Sequence, residues 1–283
     1  MIFDNRACDL GEGAFWHPTR GQFFWFDILN RKLLTQENGA PREYLFSEMA
    51  SAAGWLDDDT LLVATERRLL QLDLNTGAHS DVMALEADNS VTRSNDGRAD
   101  TKGGFWIGTM GKSAEHQAGA IYRLYKGEMR KVFDKITISN SICFAADGSF
   151  AHFSDTALGQ VYKVALDAQG WPKGQPQVFL DLTKEGLNPD GAVLDASGLL
   201  WVAQWGAGRV AAYAPDGSFV RAVDVGGPHS SCPAFGGADL TTLFCTTALQ
   251  DMDAPTRAQF PDAGKVFALP NVAKGKAEHQ VIL

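Results

Sequence analysis

The chain has 283 residues, 45% of them hydrophobic, and a formal charge of −9. That is enough apolar material for a large core, as one big β domain or two ordinary ones. The acidity argues against a nucleic-acid partner, which needs a basic face, and no apolar run is long enough for a transmembrane helix.

Turn signals punctuate the chain in order. Pro18 to Gly21, Asn75-Thr76-Gly77, Lys126-Gly127, Asp147-Gly148, Asp216-Gly217 and Gly236-Gly237 separate short runs rich in Phe, Trp, Val, Leu and Tyr. Phe23-Phe24-Trp25-Phe26, Leu61-Leu62-Val63-Ala64 and Gln160-Val161-Tyr162-Lys163-Val164 have strand length and strand composition. Long 3.6-period segments are absent, so few helices are expected. The start, Met1-Ile2-Phe3-Asp4-Asn5-Arg6, lacks the features of a signal peptide. Cys8, Cys143, Cys232 and Cys245 show neither metal spacing nor disulfide-framework density. Buried thiols and a cytoplasmic location are the expectation.

One pattern recurs. From Asn95 in Ser94-Asn95-Asp96-Gly97, Asp100 lies five residues on, Gly103 eight on and Trp106 eleven on. From Asp190 in Pro189-Asp190-Gly191, the same steps reach Asp195, Gly198 and Trp201. Eight residues beyond Asn140 is Gly148, again in an Asp-Gly turn, and Glu12 precedes a similar turn and strand. The Asp-to-Gly pairs match type I turns, and the two tryptophans read as core between repeats. Asp57-Asp58-Asp59 occupies the same place in the second repeat and reads as a solvated turn.

The starting points fall near residues 12, 52, 95, 140, 190 and 232. A period of roughly 40–50 residues with four short strands is that of a propeller blade. The predicted fold is therefore all-β: a six-bladed β-propeller of four-stranded antiparallel blades, with residues 1–283 as one domain. The ring is expected to close by pairing an N-terminal strand around Ile2 to Cys8 with a C-terminal strand around His279 to Leu283. The irregular piece from Leu249 to Gly264 is read as a loop over one mouth of the channel.

In such a ring, equivalent positions of different blades face one another across the central channel. Glu12, Asn95, Asn140 and Asp190 would converge from blades 1, 3, 4 and 5, while the matching positions near Ala52 and Cys232 supply no oxygen. Two facing carboxylates repel unless they share a proton or bind a cation. Two carboxylates and two amide oxygens suit a hard divalent ion, with coordination positions left for water and substrate. A structural ion, or a hydrogen-bonded plug, is the plainer alternative.

These residues resemble a known family. Leu10-Gly11-Glu12-Gly13-Ala14-Phe15-Trp16, Arg93-Ser94-Asn95-Asp96-Gly97 with Phe105 to Met110, Ile138-Ser139-Asn140-Ser141, Pro189-Asp190-Gly191 through Ala203, and Cys232 to Gly237 resemble the motifs of the SMP-30/gluconolactonase (regucalcin-like) family. The resemblance covers about residue 10 to about residue 270. It implies a propeller with one divalent metal, Ca²⁺ first, with Mg²⁺, Mn²⁺, Zn or Fe as alternatives. It also implies sugar-lactone hydrolysis. Glu12, Asn140 and Asp190 match the metal ligands, and Asp190 also the general base. Arg93 and Asn95 match residues that contact the sugar. Two departures stand out. Ser141 replaces a Gly found in some members, and Gly111-Lys112-Ser113 stands where some carry an acidic substrate contact.

The expected reaction is hydrolysis of an aldonolactone to the aldonic acid, the metal polarising the lactone carbonyl and Asp190 acting as general base. Arg93 would hold sugar hydroxyls with its fork of donors. No G-x-S-x-G motif offers a serine nucleophile. The rivals are a calcium-dependent phosphotriesterase or another lactonase on the same scaffold, and a calcium-binding propeller without catalysis. The expected partner is a small-molecule sugar lactone, with no nucleic acid or membrane, acting on a monomer.

Overall fold

The computed structural model describes residues 1–283. Six four-stranded antiparallel sheets follow one another around a ring, each numbered here as a blade in chain order. The first strands are Gly11–His17, Ala50–Trp55, Thr92–Ala99, Ser139–Phe144, Asn188–Leu194 and Ser230–Gly236. Each packs against the first strand of the next blade, and that of blade 6 against that of blade 1. Helix is confined to a 3₁₀ turn at Thr156–Leu158 and one short α-helix at Ala254–Gln259.

The apolar runs in the sequence have a direct cause. Side chains alternate faces along a strand, and a blade is covered on both faces by its neighbours. Phe24 and Phe26 therefore enter the cluster shared with blade 2, whereas Phe23 and Trp25 enter the one shared with blade 6. Leu61 and Val63 separate from Leu62 and Ala64 in the same way. The protein has six such clusters, one for each pair of adjacent blades.

The recurring Asp-x5-Trp spacing is a bonded unit. Asp100 Oδ1 accepts from the Gly104 amide at 3.0 Å while its Oδ2 accepts from Trp106 Nε1 at 3.0 Å. Asp195 does the same for Leu199 and Trp201, at 3.0 and 2.9 Å. The aspartate thus shapes the turn and satisfies the one polar atom of a fully buried indole. Asp57, Asp58 and Asp59 are exposed, as a solvated turn requires.

Ring closure differs from the sequence expectation. The N-terminal strand, Ile2–Asp4, pairs with Val266–Leu269 and forms the outer edge of blade 6. Residues 279–283 form no strand. Blade 6 is complete at Leu269, and the rest of the chain runs across the end of the ring where first strands turn into second strands. Gly275 N donates to Leu240 O, Lys276 Nζ to Phe144 O, Val281 N to Trp55 O and Ile282 N to Gly103 O. Beneath this tail only small cavities of about 10 and 20 Å³ remain. The channel is thereby stoppered at one end.

Glu278 anchors the stopper through an ion pair with Arg98, whose side chain is buried in the channel beside Asp96. Removing one partner of a buried pair leaves a charge uncompensated. Glu278→Ala is therefore expected to destabilise the protein by about 3 kcal/mol, seen as a lower urea midpoint.

Candidate active site

The first strand of every blade breaks register near its starting point, between Glu12 and Phe15, Ala50 and Ala52, Ser94 and Gly97, Asn140 and Cys143, Pro189 and Ala192, and Ser230 and Pro233. Such bulges re-aim side chains out of the regular pleat. After Glu12 the bulge needs Gly13, at φ +56, because a Cβ there would overlap the Ser51 carbonyl. After Asn140 the same left-handed conformation falls on Ser141, at φ +57. Its strain is offset by two hydrogen bonds: the hydroxyl donates to Asp190 O at 2.5 Å and accepts from Ser154 Oγ at 3.0 Å. Ser51 and Ser231 likewise donate to the next blade, to Asn95 O at 2.6 Å and Gly11 O at 2.5 Å. Blades 2 and 6 spend their hydroxyls on the ring itself, so neither contributes an inner-strand oxygen to the channel.

The bulges bring Glu12, Arg93, Asn95, Asn140 and Asp190 together in one pocket of about 460 Å³, at the end of the ring opposite the tail. All five are between 3% and 6% exposed, so their polar atoms are governed by one another and not by solvent. Arg93 donates from Nη1 to Asn95 Oδ1 and to Ser94 O, both at 2.8 Å. Asn95 Nδ2 donates to Ser139 O at 2.8 Å and to Asn140 Oδ1 at 3.0 Å. Asn140 Nδ2 donates to Thr156 Oγ1 at 2.8 Å, and Thr156 Oγ1 donates to Pro189 O at 2.6 Å. The four oxygens are thus not equivalent. Asn95 is a bridge between Arg93 and Asn140, whereas Glu12 and Asp190 hydrogen-bond to each other and accept from the Gly13 and Gly191 amides.

Electrostatics follow from that burial. Burial pushes the Glu12 carboxyl up to about 8, with the nearby Asp96 charge adding to it. Burial, then Glu12, pushes Asp190 well above the usual carboxylate range. Burial lowers the Arg93 guanidinium to about 10 against the pull of Glu12 and Asp190, and it stays charged near neutrality. One guanidinium therefore faces two carboxyl groups, and once both have given up their protons the pocket floor lacks one positive charge. Asp96 points elsewhere: its Oδ2 accepts from the Ile142 amide at 2.7 Å, stitching blade 3 to blade 4.

The rim was less legible. Met110, Thr156 and Trp205 line the pocket, fifteen or sixteen residues after Asn95, Asn140 and Asp190. Second strands end where first strands begin, so that spacing was the available signal. Trp205 is stacked on His229, with ring centroids 4.3 Å apart and planes 7° apart, which fixes the indole. Lys112, Ser113 and Ala114 reach the rim, but Lys112 is paired with Glu66. Glu115 folds back to accept from the Ser113 amide and does not line the pocket. The piece from Leu249 to Gly264 supplies Gln250 and Asp251 to the rim, then continues into the short helix capped by Asp253.

Known proteins share this architecture along the whole chain. A protein of Rhizobium meliloti (strain 1021) with the provisional name sugar lactone lactonase is 40% identical, over 96% of this chain and 93% of its own. An L-arabinolactonase of Azospirillum brasilense is 32% identical, over 98% of this chain and 93% of its own. The crystal structure of regucalcin from Agrobacterium tumefaciens, described as a calcium-binding protein, superposes with a TM-score of 0.97 at 38% identity, covering 100% of this chain and 97% of that one. The sequence profile of the SMP-30/Gluconolactonase/LRE-like region matches residues 10–249, a span that contains every residue of the pocket floor, and the chain belongs to that family.

Proposed function

We propose that this chain is a sugar lactonase that opens the ring of an aldonolactone with one divalent metal held by Glu12, Asn140 and Asp190. The observation that carries the reading is the pocket floor itself. Two buried carboxyl groups share it with a single guanidinium, and hydrogen bonds fix the Asn140 amide that lines the same floor. No three His, Cys, Asp or Glu side chains are placed to hold a metal ion by themselves, so this centre needs the amide oxygen to complete its donors. An oxygen-only set fits Ca²⁺, Mg²⁺ or Mn²⁺ better than Zn²⁺ or Fe²⁺. When bound, the ion supplies Lewis-acid polarisation of the lactone carbonyl and charge stabilisation of the transition state.

The chain's own residues do the rest. Asp190 takes the proton of the attacking water, and its two carboxylate oxygens let it serve as ligand and base together. Arg93 keeps donors beyond those given to Ser94 and Asn95, and these bind sugar hydroxyls. Trp205, held flat by His229, offers an apolar wall to the C–H face of the ring. Enclosure on all sides but one orients the substrate with its carbonyl inward. The relatives' names, an arabinolactonase among them, support sugar lactones as the substrate class.

The test is a panel of pentono- and hexonolactones, with a phosphotriester as comparator. It is run on chelator-treated protein with Ca²⁺, Mg²⁺, Mn²⁺, Zn²⁺ and Fe²⁺ returned one at a time. Lactone hydrolysis that disappears on chelation and returns with a hard ion is expected, and little turnover of the phosphotriester. If no lactone is opened with any ion, the proposal is wrong.

A further inference from the structure

We propose that Thr156 is a positioning residue whose hydroxyl decides which atom of the Asn140 amide faces the pocket. The inference rests on the metal reading above and deepens it. A carboxylate offers an oxygen whichever way it turns, but a carboxamide offers an oxygen one way and a pair of N–H donors the other. An asparagine can serve a cation only if something prevents the flip.

Thr156 supplies that constraint by a chain of one-way hydrogen bonds. Pro189 O can only accept, so the single hydroxyl proton of Thr156 is committed to it at 2.6 Å. Thr156 Oγ1 then presents a lone pair to Asn140, 2.8 Å away, and the atom there must be a donor. From the other side, Asn95 Nδ2 is fixed as a donor by Ser139 O and reaches Asn140 Oδ1 at 3.0 Å. Both neighbours demand the same orientation. Thr156 is itself held in place, because Asp155 accepts from the amides of Thr137, Ile138 and Ala157 around it. The Pro189 carbonyl directly precedes Asp190, and Ser141 binds the next carbonyl, that of Asp190. Two hydroxyls of blade 4 therefore hold consecutive carbonyls of blade 5. One of them, through Thr156, ties the blade 4 ligand to the blade 5 ligand.

The experiment titrates Ca²⁺ and Mn²⁺ into metal-free protein by calorimetry, with metal-free melting recorded alongside. Thr156→Val keeps the shape and removes the hydroxyl; its affinity is expected to fall by roughly 10–100-fold, the usual effect of losing an outer partner of a ligand. Thr156→Ser should bind as the wild type does. In an Asn140→Asp background the carboxylate has no orientation to lose, so adding Thr156→Val should change affinity by less than about threefold. Thr156→Ala is the substitute if valine disturbs folding. Wild-type affinity in the hydroxyl-free variants, or an equal loss with and without Asn140→Asp, overturns this inference alone. Wild-type protein that takes up neither ion overturns the metal reading and this inference with it.

Discussion

Asp190→Asn is expected to lower kcat for lactone hydrolysis by about 10³-fold, within the range lost when a positioned acid–base group is removed. The substitution keeps size and an oxygen donor but cannot accept a proton. It also halves the anionic charge of the pocket floor, so divalent-metal affinity should fall with it. Stability should move the other way. Asp190 is buried against Glu12: burial pushes both carboxyl groups up, and the Glu12 charge pushes Asp190 up further. An amide ends that repulsion, so metal-free Asp190→Asn should melt above the metal-free wild type. Steady-state kinetics at saturating metal, with melting curves of both proteins, check the pair of outcomes. A variant with full activity removes Asp190 from the chemistry.

The second large effect is a linkage between metal and protons. Glu12 carries its proton up to about 8, whereas an unfolded glutamate loses it near 4.5. A divalent ion must displace the protons of both Glu12 and Asp190, so apparent Ca²⁺ affinity should rise by up to about a hundredfold per pH unit below roughly pH 8 and less steeply above it. The sign for stability is opposite. A group whose folded-state pKa is raised stabilises the fold fully below its unfolded value, and that contribution is lost as pH rises through the folded value. The metal-free protein should therefore lose stability from this pair as pH climbs from about 4.5 through about 8. Saturating Ca²⁺ should remove that slope. Calorimetry in buffers of different ionisation enthalpy would count the protons released. An affinity that is flat across this window would mean that Glu12 is not a ligand.

Much of the architecture was written locally. Asp100 and Trp106, or Asp195 and Trp201, lie within one hairpin, and their bond repeats whatever the rest of the chain does. Runs such as Phe23 to Phe26 announce strands covered on both faces. Ring closure is not legible in the sequence for a related reason. Val266–Leu269 and the apolar end of the chain carry similar strand composition, and local composition cannot say which completes blade 6. The hairpin with Thr242–Thr247 decides it, and the loser becomes the stopper.

What the sequence determined by itself was the repeat and the residue types placed at its starting points, because turn chemistry and face alternation act between near neighbours. Only the tertiary structure decided what each oxygen does: that Asn95 serves Arg93 and Asn140, that Thr156 orients an amide, and that Ser141 spends its hydroxyl on Asp190. Those assignments depend on neighbouring blades meeting at hydrogen-bond distance, Asn95 with Asn140, Thr156 with Pro189 and Ser141 with Asp190, and residues 33 to 49 positions apart acquire a mutual direction only when the blades pack side by side.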